Sequence, residues 1–409
     1  MGTLYNFHLS FSKQPKPPTT AATSSVPAAT ENLRVVFAAG GTGGHIYPAL
    51  AIADQLKISN PNTQFLFIGT PKGMEATAVP SAGYPFAAVP TSPLSRPLIS
   101  PTNLFTLLFI LTKSTFKSYK ILQEFEPQVV IGTGGFVSFP TCLAAALKGT
   151  KLVIQEQNSV PGIANLVLSL FADKVCVAFS STVECFWKKS KCVVCGNPVR
   201  SSLINRVVDK TLARRSLFPD VEGKGEEDNM KVVLVLGGSL GANSVNIVLL
   251  NVYYQMLNER DDLFIIWQTG MKAFREMESL VRNHPRLLLS PFLRAVDLAY
   301  AAADLVVSRA GAMTCYEILA TGKPCILIPS PYAAEGHQLK NASLMSDVAS
   351  SKVILEDDLD SPTLRTAILD ILDNERLMRD MSKRALRAAK TNASAEIAQQ
   401  ILSLVALSD

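Results

Sequence analysis

The sequence predicts an α/β protein of two consecutive, doubly wound, Rossmann-like units with a cleft between them. Three observations carry that prediction. Short apolar runs alternate with helix-length segments over most of the chain, as a parallel sheet with crossover helices requires. The alternation occurs twice, broken by a polar, charged stretch over 209–229. Each series opens with a glycine-rich turn between strand and helix, Ala39-Gly-Gly-Thr-Gly-Gly-His45 in one and Leu236-Gly-Gly-Ser-Leu-Gly-Ala-Asn243 in the other. Length agrees, since 409 residues with 48% hydrophobic content fill two or three cores at about 150 residues per domain, and two fits better.

Residues 1–30 stand apart. They contain no Asp, Glu or Arg and are dominated by Ser, Thr, Pro and Ala, the composition of a plastid-type targeting peptide or of a disordered tail. A first unit over 31–205 has expected strands at 35–38, 65–68, 129–131, 152–154 and 174–177. A linker or exposed loop is expected over 206–230. The second unit, 231–390, has strands at 231–236, 264–267, 287–289, 305–307 and 325–328, and a terminal helix occupies 391–409.

Composition narrows the function classes. The net charge of +5 is modest for this length, and the basic residues are scattered without interleaved aromatics, so no nucleic-acid partner is expected. Seven cysteines form no disulfide framework, and Cys192-Val-Val-Cys195 lacks a second Cys/His pair at zinc spacing. The apolar segment Leu104 to Leu111, followed by Lys113, Lys117 and Lys120, is shorter than the roughly 20 residues of a membrane span. It fits either an interfacial membrane contact with basic flanks or a buried helix with a solvated lysine face.

The glycine turns point to phosphate. Glycine lets backbone amides approach a ligand, and the following helix start offers unpaired N–H groups and partial positive charge. The first turn is not a Walker A loop, because His45 and Ile46 stand where Lys and Ser/Thr belong. It is a poor dinucleotide fingerprint, because the second strand runs into Gly69 and Thr70 where a ribose-binding acid belongs. A third turn, Ile131-Gly-Thr-Gly-Gly-Phe136, also follows a strand. Ligands of such sheets lie beyond the carboxyl ends of the strands, which places the site between the domains. In Ser308-Arg-Ala-Gly-Ala-Met-Thr-Cys-Tyr-Glu317 a helix is expected from about Thr314. Glu317 then either accepts ribose hydroxyls or completes a capping box with Thr314. Asp358-Leu-Asp360 is the single Asp-x-Asp, and its acidic surroundings fit a helix entry better than a metal clamp.

Taken together, Gly40-Gly-Thr-Gly-Gly-His-Ile-Tyr-Pro48, Gln155-Glu-Gln-Asn158, Gly196-Asn-Pro-Val-Arg200, Gly237-Gly-Ser-Leu-Gly-Ala242 and Ser308 to Glu317 resemble glycosyltransferase family 28. The resemblance runs from about Leu33 to the C-terminus, and it is to the bacterial members of that family that complete the lipid-linked peptidoglycan precursor. It implies a GT-B fold, UDP-GlcNAc as donor, a polyprenyl-diphosphate-linked muramoyl-peptide as acceptor, and peripheral membrane contact. By the same resemblance, Thr42, Gly43 and Gly44 line the diphosphate side. Asn158 and Arg200 reach the donor sugar and phosphates, and Ser239 binds a phosphate. Leu293 contacts uracil through its backbone, while Ala312, Met313, Thr314 and Glu317 hold UDP, with Glu317 on the ribose. Gln338 helps hold the donor, although the family pairs two glutamines and this chain has His337-Gln338.

An acceptor hydroxyl must lose a proton as it attacks the anomeric carbon, and His45 is the expected base, because histidine titrates near neutrality and sits on the acceptor side of the loop. Its alternative role is a loop contact to backbone or phosphate. One displacement inverts the anomeric centre. Loop amides, helix N-termini and Arg200 stabilise the leaving UDP, so neither metal nor cofactor is expected. The chain departs from the family at Phe136, Phe139 and Gln155, all expected on the acceptor side. Two alternatives remain at this level: a plastid galactolipid-synthase-like transferase acting on diacylglycerol, and a non-catalytic protein of the same fold.

Overall fold

The computed structural model describes residues 32–91, 101–204, 208–219, 229–238, 241–333 and 336–407, with backbone alone over 101–107. The expected targeting peptide and Ser239 lie outside the described residues.

The first sheet has seven strands: β1 Arg34–Ala39, β2 Gln64–Gly69, β3 Phe86–Ala88, β4 Val129–Gly134, β5 Lys151–Glu156, β6 Lys174–Val177 and β7 Cys192–Val194. All pairs are parallel, in the order β3-β2-β1-β4-β5-β6-β7. The second sheet comprises β8 Lys231–Leu236, β9 Leu263–Gln268, β10 Leu287–Ser290, β11 Leu305–Ser308, β12 Cys325–Leu327 and β13 Lys352–Val353, again parallel, in the order β10-β9-β8-β11-β12-β13. In both sheets the winding reverses beside the first strand, between β1 and β4 and between β8 and β11. Helices cover both faces, so these central strands are buried, apart from Arg34 and Lys231 at the starts of β1 and β8, and read as near-continuous apolar runs.

Three strands escape the sequence pattern. β3, β7 and β13 are edge or near-edge strands of two or three residues, none fully buried, and too short to show a period. The polar stretch expected as a linker also differs, because its first part is the helix Lys210–Leu217, capped by the Asp209 side chain accepting from Leu212 N. One of its two arginines misleads, since Arg214 is buried and donates to Asp304 at 2.6 Å. Asp304 also accepts from Lys210 at 2.5 Å and from Val232 N at 2.8 Å, tying this helix to β8.

The helix Gly43–Ser59 begins inside the glycine run, earlier than the apolar pattern from Pro48 shows. The last helix, Ala393–Ala406, returns to it from the second domain. Its Ile397, Ile401 and Leu404 share one core with Ile46, Leu50 and Leu56. A small cross-domain cluster of Ala178, Phe179 and Val199 surrounds Tyr316, whose hydroxyl donates to Ala178 O at 2.8 Å. Ser159 Oγ donates to Asn341 Oδ1 at 2.9 Å across the same boundary.

The segment with basic flanks lies on the helix Pro101–Phe125. Ser114, Ser118 and Leu122 form its buried face, while Leu108, Phe109 and Phe116 are exposed beside Lys113, Lys117 and Lys120. Among the described residues no helix is long and apolar enough to cross a membrane.

Candidate active site

Both sheets aim the carboxyl ends of their central strands at one cleft of about 670 Å³. Four helices begin there, Gly43–Ser59, Asn243–Glu259, Ala312–Thr321 and His337–Ala349, and none has a side-chain cap. Their first N–H groups are therefore open to a ligand, and their dipoles converge on the space between the domains. That arrangement selects an anion, and the cleft is roomy enough for one with a sugar attached. Thr42, Gly43, Gly44, His45, Asn158, Arg200, Leu293, Ala312, Met313, Thr314, Glu317 and Gln338 all line it.

His45 sits in the first turn of Gly43–Ser59, where the first and third glycine loops meet. The loops touch so closely that a methyl on Gly135, whose φ is +84°, would lie 2.0 Å from Gly40 O. His45 Nδ1 is 3.2 Å from Gly40 O and 3.3 Å from Thr42 Oγ1. A carbonyl oxygen only accepts, so Nδ1 carries the proton and Nε2 keeps its lone pair. Burial pushes the imidazole below the ordinary histidine range, against the opposing pull of the Gly40 hydrogen bond. A neutral ring that keeps its Nε2 lone pair, on a residue that lines the cleft, is the form a general base needs.

Arg200 and Glu317 come from different domains and meet across the cleft. Arg200 Nε is 3.6 Å from Glu317 Oε1, and its guanidinium stacks 3.6 Å above the Tyr47 ring. Tyr300 OH donates to Glu317 Oε2 at 3.3 Å. Burial raises the Glu317 carboxyl above its usual range, with Arg200 and Tyr300 pulling it back. The capping box does not form. The helix starts at Ala312 with Gly311 as its N-cap, not near Thr314, because Gly311 supplies the extended turn three residues earlier. Glu317 is thus left for the cleft.

Asn158 is held by Glu156, which accepts from its backbone N at 2.9 Å and its Nδ2 at 3.1 Å. Glu156 also accepts from Gly162 N and Asn165 Nδ2. Gln155 differs from expectation. It is fully buried, donates to Asn197 Oδ1 at 3.0 Å and contacts Gln157, so it supports the site from behind and does not face an acceptor. Gln157, the residue just beyond the end of β5, reaches the cleft instead. Phe136 packs beside Gly41 in the first glycine loop. In the second domain, Leu293 N donates to Gln268 Oε1 at 2.9 Å, and Gln268 Nε2 donates to Gly238 O at 3.2 Å. Gln338 Oε1 accepts from Ser330 N at 2.9 Å.

Several lining residues had no assigned role in the sequence. Tyr47, Gln157 and Arg309 lie inside the motifs, and their proximity to assigned neighbours was the available signal. Gln268 carries only the signal of ending a strand at the carboxyl edge. Arg309 donates to Ser244 Oγ at 2.8 Å and to Ile328 O at 3.1 Å, and pairs with Glu356. Glu356 therefore closes one side of the cleft, while Asp360 caps the next helix by accepting from Thr363 N at 2.7 Å.

Two doubly wound domains that face one anion-selecting cleft at their switch points place the protein in the GT-B class. The chain belongs to glycosyltransferase family 28. The family's N-terminal domain matches residues 35–177 and its C-terminal domain residues 232–401. A Flavobacterium psychrophilum protein named UDP-N-acetylglucosamine–N-acetylmuramyl-(pentapeptide) pyrophosphoryl-undecaprenol N-acetylglucosamine transferase is 39% identical, over 92% of this chain and 98% of its own length. A Bacillus cytotoxicus protein of the same name is 38% identical over 91% of this chain and 100% of its own. The crystal structure of Acinetobacter baumannii MurG superposes with a TM-score of 0.65 at 28% identity, covering 91% of this chain and 99% of that one. A putative UDP-N-acetylglucosamine 2-epimerase from Listeria monocytogenes, at 15% identity and a TM-score of 0.63 over 90% of this chain and 95% of its own, shares the fold alone.

Proposed function

We propose that the chain transfers N-acetylglucosamine from UDP-GlcNAc to the C4 hydroxyl of a lipid-linked muramoyl-peptide, with inversion. The observation that carries this is the division of the cleft. The second domain offers the nucleotide wall, with Glu317 for the ribose, Gln268 and Leu293 at one end and the start of Asn243–Glu259 for phosphate. The first domain offers His45 and the glycine loops to the acceptor.

The acceptor hydroxyl gives its proton to His45 Nε2 as its oxygen attacks the anomeric carbon, and the bond to UDP breaks on the opposite face. Helix N-termini and Arg200 take up the charge that develops on the diphosphate. Arg200 reaches it by leaving Glu317, which then turns to the ribose. Thr42, Gly43 and Gly44 receive the acceptor diphosphate, Asn158 orients the donor sugar, and Ala312, Met313, Thr314 and Gln338 complete the donor wall.

Peripheral membrane contact through Leu108, Phe109 and Phe116, with the neighbouring lysines on lipid phosphates, brings the lipid-linked acceptor to the cleft. The composition of residues 1–30 supports import into a plastid. Incubating the chain without those residues with UDP-GlcNAc or UDP-galactose, and with lipid-linked muramoyl-peptide or diacylglycerol, tests the assignment. Transfer of N-acetylglucosamine to the muramoyl-peptide is expected, and galactose on diacylglycerol, or no transfer, would refute it.

A further inference from the structure

A buried carboxylate beneath the first glycine loop takes no part in the chemistry described so far. Glu75 opens the helix Glu75–Ser81, which follows β2, and is fully buried. Its Oε1 accepts from Thr70 N at 2.8 Å and Thr70 Oγ1 at 2.6 Å, and its Oε2 accepts from Gly41 N at 3.2 Å. All three partners donate, which is the pattern of an ionised carboxylate. The loop rests directly on it, since a methyl on Gly40 would fall 2.5 Å from Oε1.

The N–H of Gly41 and the C=O of Gly40 belong to one planar peptide unit. That same carbonyl faces His45 Nδ1 at 3.2 Å. The three groups therefore stand in series, carboxylate to peptide N–H and peptide C=O to imidazole N–H. A negative charge at the N–H end polarises the peptide toward its oxygen and strengthens the bond that the oxygen accepts. A water-filled contact would not do this; a buried one does, because the local dielectric is low.

We propose that Glu75 is a positioning residue for the transfer, acting on His45 through the Gly40–Gly41 peptide. It holds the ring in the Nδ1–H form, with Nε2 aimed at the cleft, and steadies the cation formed when Nε2 takes the acceptor proton. This rests on His45 being the base. The titratable groups that act on the ring are Glu75, which favours its protonated form, and His337 from the second domain, which opposes it, as burial does more strongly.

Glu75→Gln in the full chain keeps the size of the side chain and removes its charge. With UDP-GlcNAc and the lipid-linked acceptor, kcat falls about tenfold to a hundredfold while KM for UDP-GlcNAc stays within about twofold. The acid limb of the kcat profile moves to lower pH, because an imidazolium without its neighbouring anion loses its proton more readily. Glu75→Asp, which keeps the charge, returns the limb toward its original position. A purely structural residue would lower thermal stability and activity together and leave the limb unmoved, and that result overturns the proposal. Should the Gln variant not fold, ¹⁵N NMR of His45 in the unaltered chain decides: a neutral ring protonated on Nδ1 is expected, and one protonated on Nε2 overturns it. If the ring shows the expected tautomer and titration but His45→Ala turns over normally, the base assignment fails, and with it the catalytic meaning of the relay.

Discussion

Arg200 and Glu317, one from each domain, stand 3.6 Å apart across the cleft with the Tyr47 ring stacked against the guanidinium. The distance marks an ion pair and not a hydrogen bond, and Arg200 Nε has no hydrogen-bond partner. At that spacing the two charges are paired loosely enough for a nucleotide to part them. On the proposed function, diphosphate takes the arginine and ribose takes the carboxylate.

Replacing Glu317 with Ala should weaken UDP binding about tenfold to a hundredfold, the usual worth of hydrogen bonds to a charged group. Calorimetry reads this directly, and unaltered affinity would leave the residue a structural partner of Arg200 and Tyr300. Because burial raises this carboxyl above the ordinary carboxylate range, UDP affinity should decline on acidification through a midpoint above that range. The sign follows from the chemistry: the carboxylate accepts from ribose hydroxyls, and protonation removes that capacity.

His45→Ala should lower kcat by about a hundredfold to ten-thousandfold and leave UDP affinity within about twofold. The base works unprotonated and burial lowers its pKa, so in the unaltered chain kcat should rise with pH through a limb below the ordinary histidine range. Turnover that survives the substitution would assign His45 to the loop alone.

Asp304→Ala should cost about 3–5 kcal/mol in urea unfolding, since it strands the buried Arg214 and removes the acceptor of Val232 N. A loss under about 1 kcal/mol would show that the helix Lys210–Leu217 is held mainly by the apolar contacts of Ala213 and Phe218.

Phe109→Glu should reduce sedimentation with anionic lipid vesicles several-fold while turnover on a short-chain, water-soluble acceptor stays constant. Phe109 is 70% exposed, so folding should tolerate the change. Equal vesicle binding would move the membrane contact off this helix.

The two-domain architecture was legible because the central strands are buried on both faces and their glycine turns repeat. β1 and β8 are apolar runs that lead straight into Gly40 and Gly237, and β4 and β11 are apolar until they end at Gly134 and Ser308. What the pattern hid has physical causes. The edge strands β3, β7 and β13 are too short for a period, and Lys210–Leu217 looks solvated because its buried arginine is neutralised by an aspartate some ninety residues away. At the site, residues on the motifs could be named, but those behind them could not. Glu75 meets Gly41, and Gln155, though visible in its motif, meets Asn197, through contacts between distant segments that no local spacing encodes.

The most direct test follows the anomeric carbon of UDP-[1-¹³C]GlcNAc by NMR during transfer to the lipid-linked muramoyl-peptide. A one-step displacement assisted by His45 gives a β linkage to the C4 oxygen from the first turnover. An α linkage, or release of free sugar without transfer, would contradict the account.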